Sequence, residues 1–278
     1  MQPPAHVDCA ESRNWDAPQR PFRIHGDTYY VGTRCLSAVL VASPRGHVLI
    51  DGGQPSSAAQ VRANVEALGF RMADVKLLLN SHAHVDHAGG LAALQAASGA
   101  GAAAHPWAAR VFRTGRAAPD DPQHGALPDF PAVRRVRALA DGEVVRVGPL
   151  ALTAHFTPGH TPGGTSWSWT SCEGGTCREV VYADSQTPVS APGFSFTRST
   201  RYPTALADFA RSHATLEGLR CEILITPHPD ASSFWQRVED APGGGGPTLV
   251  DADACRRLAA RSRAQLAARV EQERKAAP

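Results

Sequence analysis

The segment Ser81-His82-Ala83-His84-Val85-Asp86-His87 places four metal-binding side chains within six positions. Neutral imidazole and carboxylate are the donors zinc takes in open, catalytic sites, where a bound water becomes acidic. On an extended turn, alternation sends His82 and His84 to one side and lets Asp86 and His87 face a second point. A histidine-rich surface turn without metal is the plainer alternative. The apolar run before the cluster, and the two glycines and helix-like segment behind it, argue against that. His160, in Thr157-Pro158-Gly159-His160-Thr161-Pro162-Gly163-Gly164, and His228, in Thr226-Pro227-His228-Pro229, occupy similar Pro- or Gly-punctuated turns after apolar runs. Six ligands divide into two sets: three histidines, and an aspartate with two histidines. That composition suits a pair of metal ions sharing a water. His6, His25, His47, His105, His155 and His213 lack such a setting and read as ordinary surface or core residues, and His124 has no assignable role.

Such ligands need strand ends to hold them. Asp74 to Asn80 reads as a buried strand running straight into the cluster, and Ile223-Leu224-Ile225 does the same before His228. Tyr29 to Val31, Leu36 to Val41, His47 to Ile50, 143–156, 165–170 and 178–183 are further strands, with Ser43-Pro44-Arg45-Gly46 as a turn. Helices are expected from Ser56 or Ser57 to Gly69, from Leu91 to Ala97, over 204–217 and from about 252 to 273. Residues 1–21 form an irregular arm, 115–131 a long surface loop, and Gly243 to Gly246 a flexible loop. Strands ending in ligands with helices behind them suggest two sheets between helix layers.

The bulk numbers exclude some classes. A length of 278 residues suits one large α/β domain or two small ones, and a net charge of +2 gives no reason to expect nucleic acid or an anionic membrane. No apolar run approaches the roughly 18 residues of a membrane-crossing helix. The first residues carry no basic and apolar leader, so no signal peptide is read. No Ser-x-x-Lys or Gly-x-Ser-x-Gly motif provides a serine nucleophile. Six cysteines, Cys9, Cys35, Cys172, Cys177, Cys221 and Cys255, include no CxxC pair. Their even number is compatible with disulfides, and Cys172 and Cys177 have the spacing of a hairpin staple. Reduced cysteines in a cytosolic enzyme are the alternative.

His82-Ala83-His84-Val85-Asp86-His87, Leu49-Ile50-Asp51-Gly52-Gly53, Gly159-His160-Thr161 and His228 together resemble the metallo-β-lactamase superfamily. The resemblance implies one domain over 1–278 with a four-layer αββα sandwich, two mixed sheets flanked by helices. It does not fix the substrate, because lactonases, glyoxalase-type thioesterases and RNA-processing nucleases carry similar loops. Pro21-Phe22-Arg23-Ile24, Thr28 to Gly32, Asn80 to His84, Tyr182-Ala183-Asp184-Ser185 and Ser190-Ala191-Pro192-Gly193 look like subclass B3 β-lactamases. Pro158 to Trp167 followed by Ser171-Cys172-Glu173-Gly174 is similar to the branch containing the Adelaide imipenemase.

That resemblance implies two zinc ions per chain, one on His82, His84 and His160, the other on Asp86, His87 and His228. It implies a zinc-bound hydroxide that opens penicillins, cephalosporins and carbapenems, with Asp86 orienting it and shuttling a proton, and hence antibiotic resistance. Ser185 falls where the subclass orders water or substrate near the second zinc, Thr187 where it contacts the substrate carboxylate, and Gln123 at the rim. The bridges implied are Cys9–Cys35, Cys172–Cys177 and Cys221–Cys255, in a periplasmic or secreted monomer acting on a small molecule. In this register Ser185 faces the metals and Asp184 points away. A slip of one residue would make Asp184 a bridging ligand and the site glyoxalase-like.

Overall fold

The computed structural model describes residues 7–239 and 249–276, so His6 and the glycine run at 243–246 lie outside the described residues. One sheet holds, in order, β1 (Phe22–His25), β2 (Thr28–Tyr30), β3 (Val39–Val41), β4 (His47–Ile50), β5 (Val75–Leu79), β6 (Gly101–Ala104) and β7 (Val136–Ala138). Its first three pairings are antiparallel and its last three parallel. The second sheet contains β8 (Val144–Val147), β9 (Leu150–Phe156), β10 (Thr165–Glu173), β11 (Thr176–Tyr182) and β12 (Ile223–Ile225). Its order is β12-β11-β10-β9-β8, parallel only between β11 and β12.

Period-two alternation assigns each strand's side chains to two different cores. Val39, Val41, Val48 and Ile50 meet Trp167, Val180, Tyr182, Ile223 and Ile225 between the sheets. The intervening Leu40 and Leu49 face outward onto α1 (Ala58–Ala67), α3 (Leu91–Ser98) and α4 (Pro106–Thr114), through Val61, Val65, Leu91, Leu94 and Phe112. Val181 and Leu224 face the other way, onto α5 (Ala205–Gly218) and α7 (Ala254–Lys275), through Leu216, Leu258 and Ala259. The outcome is the expected αββα sandwich of two mixed sheets.

Several local expectations are corrected. The cluster is not extended throughout: Val85–Ala88 forms a short helix, α2, with His84 in extended backbone at its N-cap. The strand expected over Leu36 to Val41 is shorter, Val39–Val41. The 115–131 segment is an irregular surface loop as expected, with Asp121, Pro122 and Phe130 turned inward and buried. The described part of the arm, 7–21, is fastened: Thr33 Oγ1 donates to the Trp15 carbonyl at 2.5 Å, and Arg34 N to the Ala17 carbonyl at 2.8 Å. Strand β6 was not anticipated because Gly-Ala-Ala-Ala carries no β-branched signal. Helix α4 was missed although Pro106 sits in its first turn, where the His105 ring accepts from Trp107 N. Helix α6 (Phe234–Glu239) was missed because it is short.

All six cysteines are paired as the resemblance implied: Cys9–Cys35, Cys172–Cys177 and Cys221–Cys255. The second joins directly opposed residues of the β10–β11 hairpin. The third ties the residue before Glu222 and β12 to the first turn of α7 across a separation of 34 residues. Thiol titration of denatured, unreduced protein should therefore find no free cysteine. Replacing Cys221 and Cys255 by Ala should lower unfolding free energy by about 3–4 kcal/mol, the chain-entropy value for such a loop, measured by denaturant titration.

Candidate metal centre

The ligands gather at the ends of strands from both sheets. Strand β5 delivers Asn80 to His84, α2 delivers Asp86 and His87, the turn after β9 delivers His160, and the turn after β12 delivers His228. His82, His84 and His160 each offer a donor nitrogen within 4.8 Å of the others, as do His82, Asp86 and His87 for theirs. His228 Nε2 lies 3.2 Å from Asp86 Oδ2 and 3.3 Å from His87 Nε2, and so completes the second group. Every one of the six is buried except His228, which is one-third exposed.

What aims these rings is a set of oxygens behind them. Asp184 Oδ1 accepts from His82 Nδ1 at 2.7 Å, Asp121 Oδ2 from His84 Nε2 at 3.0 Å, and the Thr187 carbonyl from His160 Nδ1 at 2.8 Å. Each such bond settles the tautomer and turns the other nitrogen inward as a lone pair. His82 Nε2 is accordingly buried with no protein partner. A lone pair buried that way is costly unless a cation takes it, so the donor set fits a metal centre. Burial drives His82 well below its usual pKa, helped by the neighbouring His87 charge, and holds His160 at about 3, with His84 adding to it. Both rings are therefore neutral and ready to coordinate. Burial pushes the Asp86 carboxyl up, but His87 and His228 outweigh it and keep Asp86 an anion.

Asp51, at the end of β4, anchors the loop that carries the cluster. It accepts from Asn80 Nδ2, Ser81 N, Ser81 Oγ and Tyr182 OH at 2.9, 2.8, 2.7 and 2.8 Å. Its backbone φ of +60° is strained for a residue with a side chain, and these bonds offset that strain. Gly52 N then donates to the His87 carbonyl at 2.9 Å, tying β4 to α2.

Asp184 does not point away, as the sequence register suggested. It lies behind His82, with burial pushing its carboxyl well above the usual carboxylate range. Gly164 makes that possible, since a Cβ there would sit 2.3 Å from Asp184 Oδ2. Ser185 instead lines, with Thr187 and His228, a cavity of about 290 Å³ closed on its far side by Leu258 and Ser262 of α7. Gln123 Nε2 reaches 3.5 Å from His84 Nδ1 and 3.4 Å from His160 Nε2, over the first ligand group. His124 is exposed and donates to the Ala117 carbonyl, outside the centre. His25, His47, His105, His155 and His213 are also outside it; His47 accepts from Ser43 N and His155 bonds Ser168 Oγ.

Sequence reasoning missed three participants. Asp121 had no motif around it. The Thr187 carbonyl is a backbone group and leaves no residue-type signal. Trp15, from the arm, packs its ring 5.4 Å from that of His228, and only its being a tryptophan in a polar stretch hinted at it.

A family model described as the metallo-beta-lactamase superfamily matches residues 35–172. Among solved structures, the Rm3 metallo-beta-lactamase is 55% identical with a TM-score of 0.93, covering 98% of this chain and 100% of that one. MEM-A1, a subclass B3 metallo-beta-lactamase isolated from a soil metagenome library, is 49% identical with a TM-score of 0.92, covering 94% and 99%. The metallo-beta-lactamase SMB-1, bound to 2-mercaptoethanesulfonate, is 46% identical with a TM-score of 0.90, covering 93% and 99%. A curated relative, the hydroxyacylglutathione hydrolase of Anaeromyxobacter dehalogenans (strain 2CP-C), is 33% identical over 130 residues, 47% of this chain. The chain spans 40% of that relative's length.

If the oxygens behind the rings aim them, Asp121→Asn and Asp184→Asn should each weaken metal affinity roughly 10–100-fold with the fold kept, as outer partners of metal-bound histidines do. A competitive titration against a chromophoric chelator measures this. His160→Ala and His228→Ala should each lose one bound metal outright, read by elemental analysis.

Proposed function

Since the chain belongs to the metallo-β-lactamase superfamily, we propose that it hydrolyses the amide bond of penicillins, cephalosporins and carbapenems with two zinc ions, and so confers antibiotic resistance. The observation that carries the reading is the wall beside His228. There a neutral Ser185 lines the cavity beside His228, with Asp230 and Arg261 also on its wall, while the acid next to it, Asp184, is bonded to the back of His82. No acid at that strand end spans both ligand groups, so the metal pair keeps more positive charge toward an anionic substrate. The solved relatives named for β-lactamase activity match over 93–98% of this chain, against 47% for the hydroxyacylglutathione hydrolase.

His82, His84 and His160 hold one zinc, and Asp86, His87 and His228 the other. The zinc pair supplies a water ionised near neutral pH and positive charge for the lactam oxygen and the departing nitrogen. The chain's own groups do the rest. Asp86, with Oδ2 turned to His87 and His228, has its other oxygen free to orient the attacking water and carry its proton toward the ring nitrogen. The Ser185 and Thr187 hydroxyls bind the substrate carboxylate beside His228. Gln123 donates across the rim, and the buried Asp121–His84 and Asp184–His82 pairs keep the rings from turning. Trp15 covers one flank of His228.

The three disulfides support a periplasmic or secreted protein, since such bonds persist in oxidising compartments. We place it in subclass B3, in the branch with the Adelaide imipenemase, on the Pro158 to Trp167 block and the three bridges, as a monomer acting on a small molecule.

The test is turnover of a penicillin, a cephalosporin and a carbapenem, with a glutathione thioester alongside, before and after chelation. β-Lactam turnover should vanish with the metal and return with zinc, and the thioester should persist. Ser185→Ala should keep both metals and raise KM roughly ten-fold, about the worth of one hydrogen bond to a charged group. Full activity without metal, or a wild type that prefers the thioester, would refute the assignment.

A further inference from the structure

The segment from Ser190 to Thr197 runs between the end of α7 and the metal centre, and α7 grips it with an unusual anchor. Glu273, buried near the helix C-terminus, accepts from Ser195 Oγ at 2.8 Å, Phe196 N at 3.0 Å, and Thr197 N and Oγ1 both at 2.9 Å. Arg269 Nε adds a fifth donor at 2.8 Å. Arg269 itself reaches Ser190 Oγ at 2.8 Å and the Phe194 carbonyl at 3.3 Å, and its guanidinium lies 5.4 Å from the Phe196 ring centre. Burial pushes the Glu273 carboxyl up, but the donors from Ser195, Thr197 and Phe196 outweigh it and hold it at about 2. A carboxylate is removed from water to this degree only where a full set of donors replaces its hydration.

The gripped segment meets the site in three ways. It starts just after Thr187, whose carbonyl holds His160. Its Ala191 N donates at 2.9 Å to the carbonyl of Pro122, the residue between Asp121 and Gln123. A third contact runs through rings: Phe196 meets Phe209 at 5.8 Å, and Phe209 lies flat on Gly159, where a Cβ would come within 2.6 Å of the ring. Gly159, at φ +142°, precedes His160 directly.

We propose that Glu273 is a positioning residue for the substrate rim: by anchoring 190–197 it fixes Thr187 on one side and, through Ala191 and Pro122, Gln123 on the other. Its effect on substrate rests on the β-lactam reading above; its effect on the two segments does not.

The experiment compares zinc-loaded wild type with Glu273→Gln, which keeps the size but turns an amide donor toward N–H and O–H donors. Zinc content at saturating zinc should be unchanged. Amide hydrogen exchange should accelerate both in 190–197 and in 121–124, which is distant in sequence. KM for a cephalosporin should rise roughly ten-fold with kcat within about two-fold, the pattern of lost uniform binding. Ala191→Pro, which removes the donor to Pro122 and also stiffens 190–191, should reproduce the exchange change in 121–124, and it decides the matter should the first variant fail to fold. Faster exchange confined to 190–197 with an unchanged KM would overturn the proposal. Absence of any β-lactam turnover by the wild type would instead sink the functional reading, and exchange in 121–124 alone would then judge the anchor.

Discussion

The centre depends on buried imidazoles whose outward nitrogens are already taken. An imidazole in water is free to turn and to exchange tautomers. Here Asp184, Asp121 and the Thr187 carbonyl each accept one ring N–H, so His82, His84 and His160 can present only a lone pair to the interior. Three lone pairs converging in a dry space are unstable by themselves, and a cation is what relieves them. The low pKa of His82 and His160 is the same fact in another form, because a proton has no room and no solvent there. The fold therefore holds His82 and His160 in the protonation state a metal needs.

That arrangement sets demands on everything around it. The three oxygens come from separate parts of the chain: a β11 end, a long irregular segment, and the stretch leading to α5. Each must be held as firmly as the ligand it serves. Asp51 binds the cluster loop through four donors from both sheets. Gly164 gives Asp184 its approach, and Gly159 gives Phe209 a face to lie on. The outer helices thus reach the chemistry without contributing a ligand: α5 supports the His160 turn, and α7 supports the segment that joins Thr187 to Pro122.

The sandwich explains why ligands from distant sequence positions meet. Alternation along β4, β5, β11 and β12 forces one set of side chains into the inter-sheet core and the other against helices. With both faces of each sheet occupied by apolar side chains, polar groups gather beyond the strand ends. Asp51, the His82 cluster, Asp184 and His228 all sit there.

Much of this was legible in the sequence. His82, His84, Asp86 and His87 stand together, and His160 and His228 sit in turns that Pro and Gly mark, so residue type and spacing alone exposed them. The apolar runs of β4 and β12 and the apolar ends of β5 (Leu78-Leu79) and β11 (Val180-Val181-Tyr182) were readable because strand stretches buried on both faces are nearly all apolar. Resemblance supplied the disulfide pairing, which cysteine spacing leaves open. Hidden were the elements without a local signal: the alanine-rich β6, the helical turn inside the cluster, and the inward turn of 115–131 at Asp121 and Pro122. Hidden too were the residues whose role is defined by a partner far along the chain. Asp121 is an aspartate in a polar loop until His84 is seen behind it, and Asp184 was assigned the wrong direction because the residues after β11 leave regular alternation. The sequence by itself determined which side chains could bind metal, since that is a matter of chemical type; only the tertiary structure decided which nitrogen of each ring faces inward, since that depends on an oxygen brought up from elsewhere in the chain.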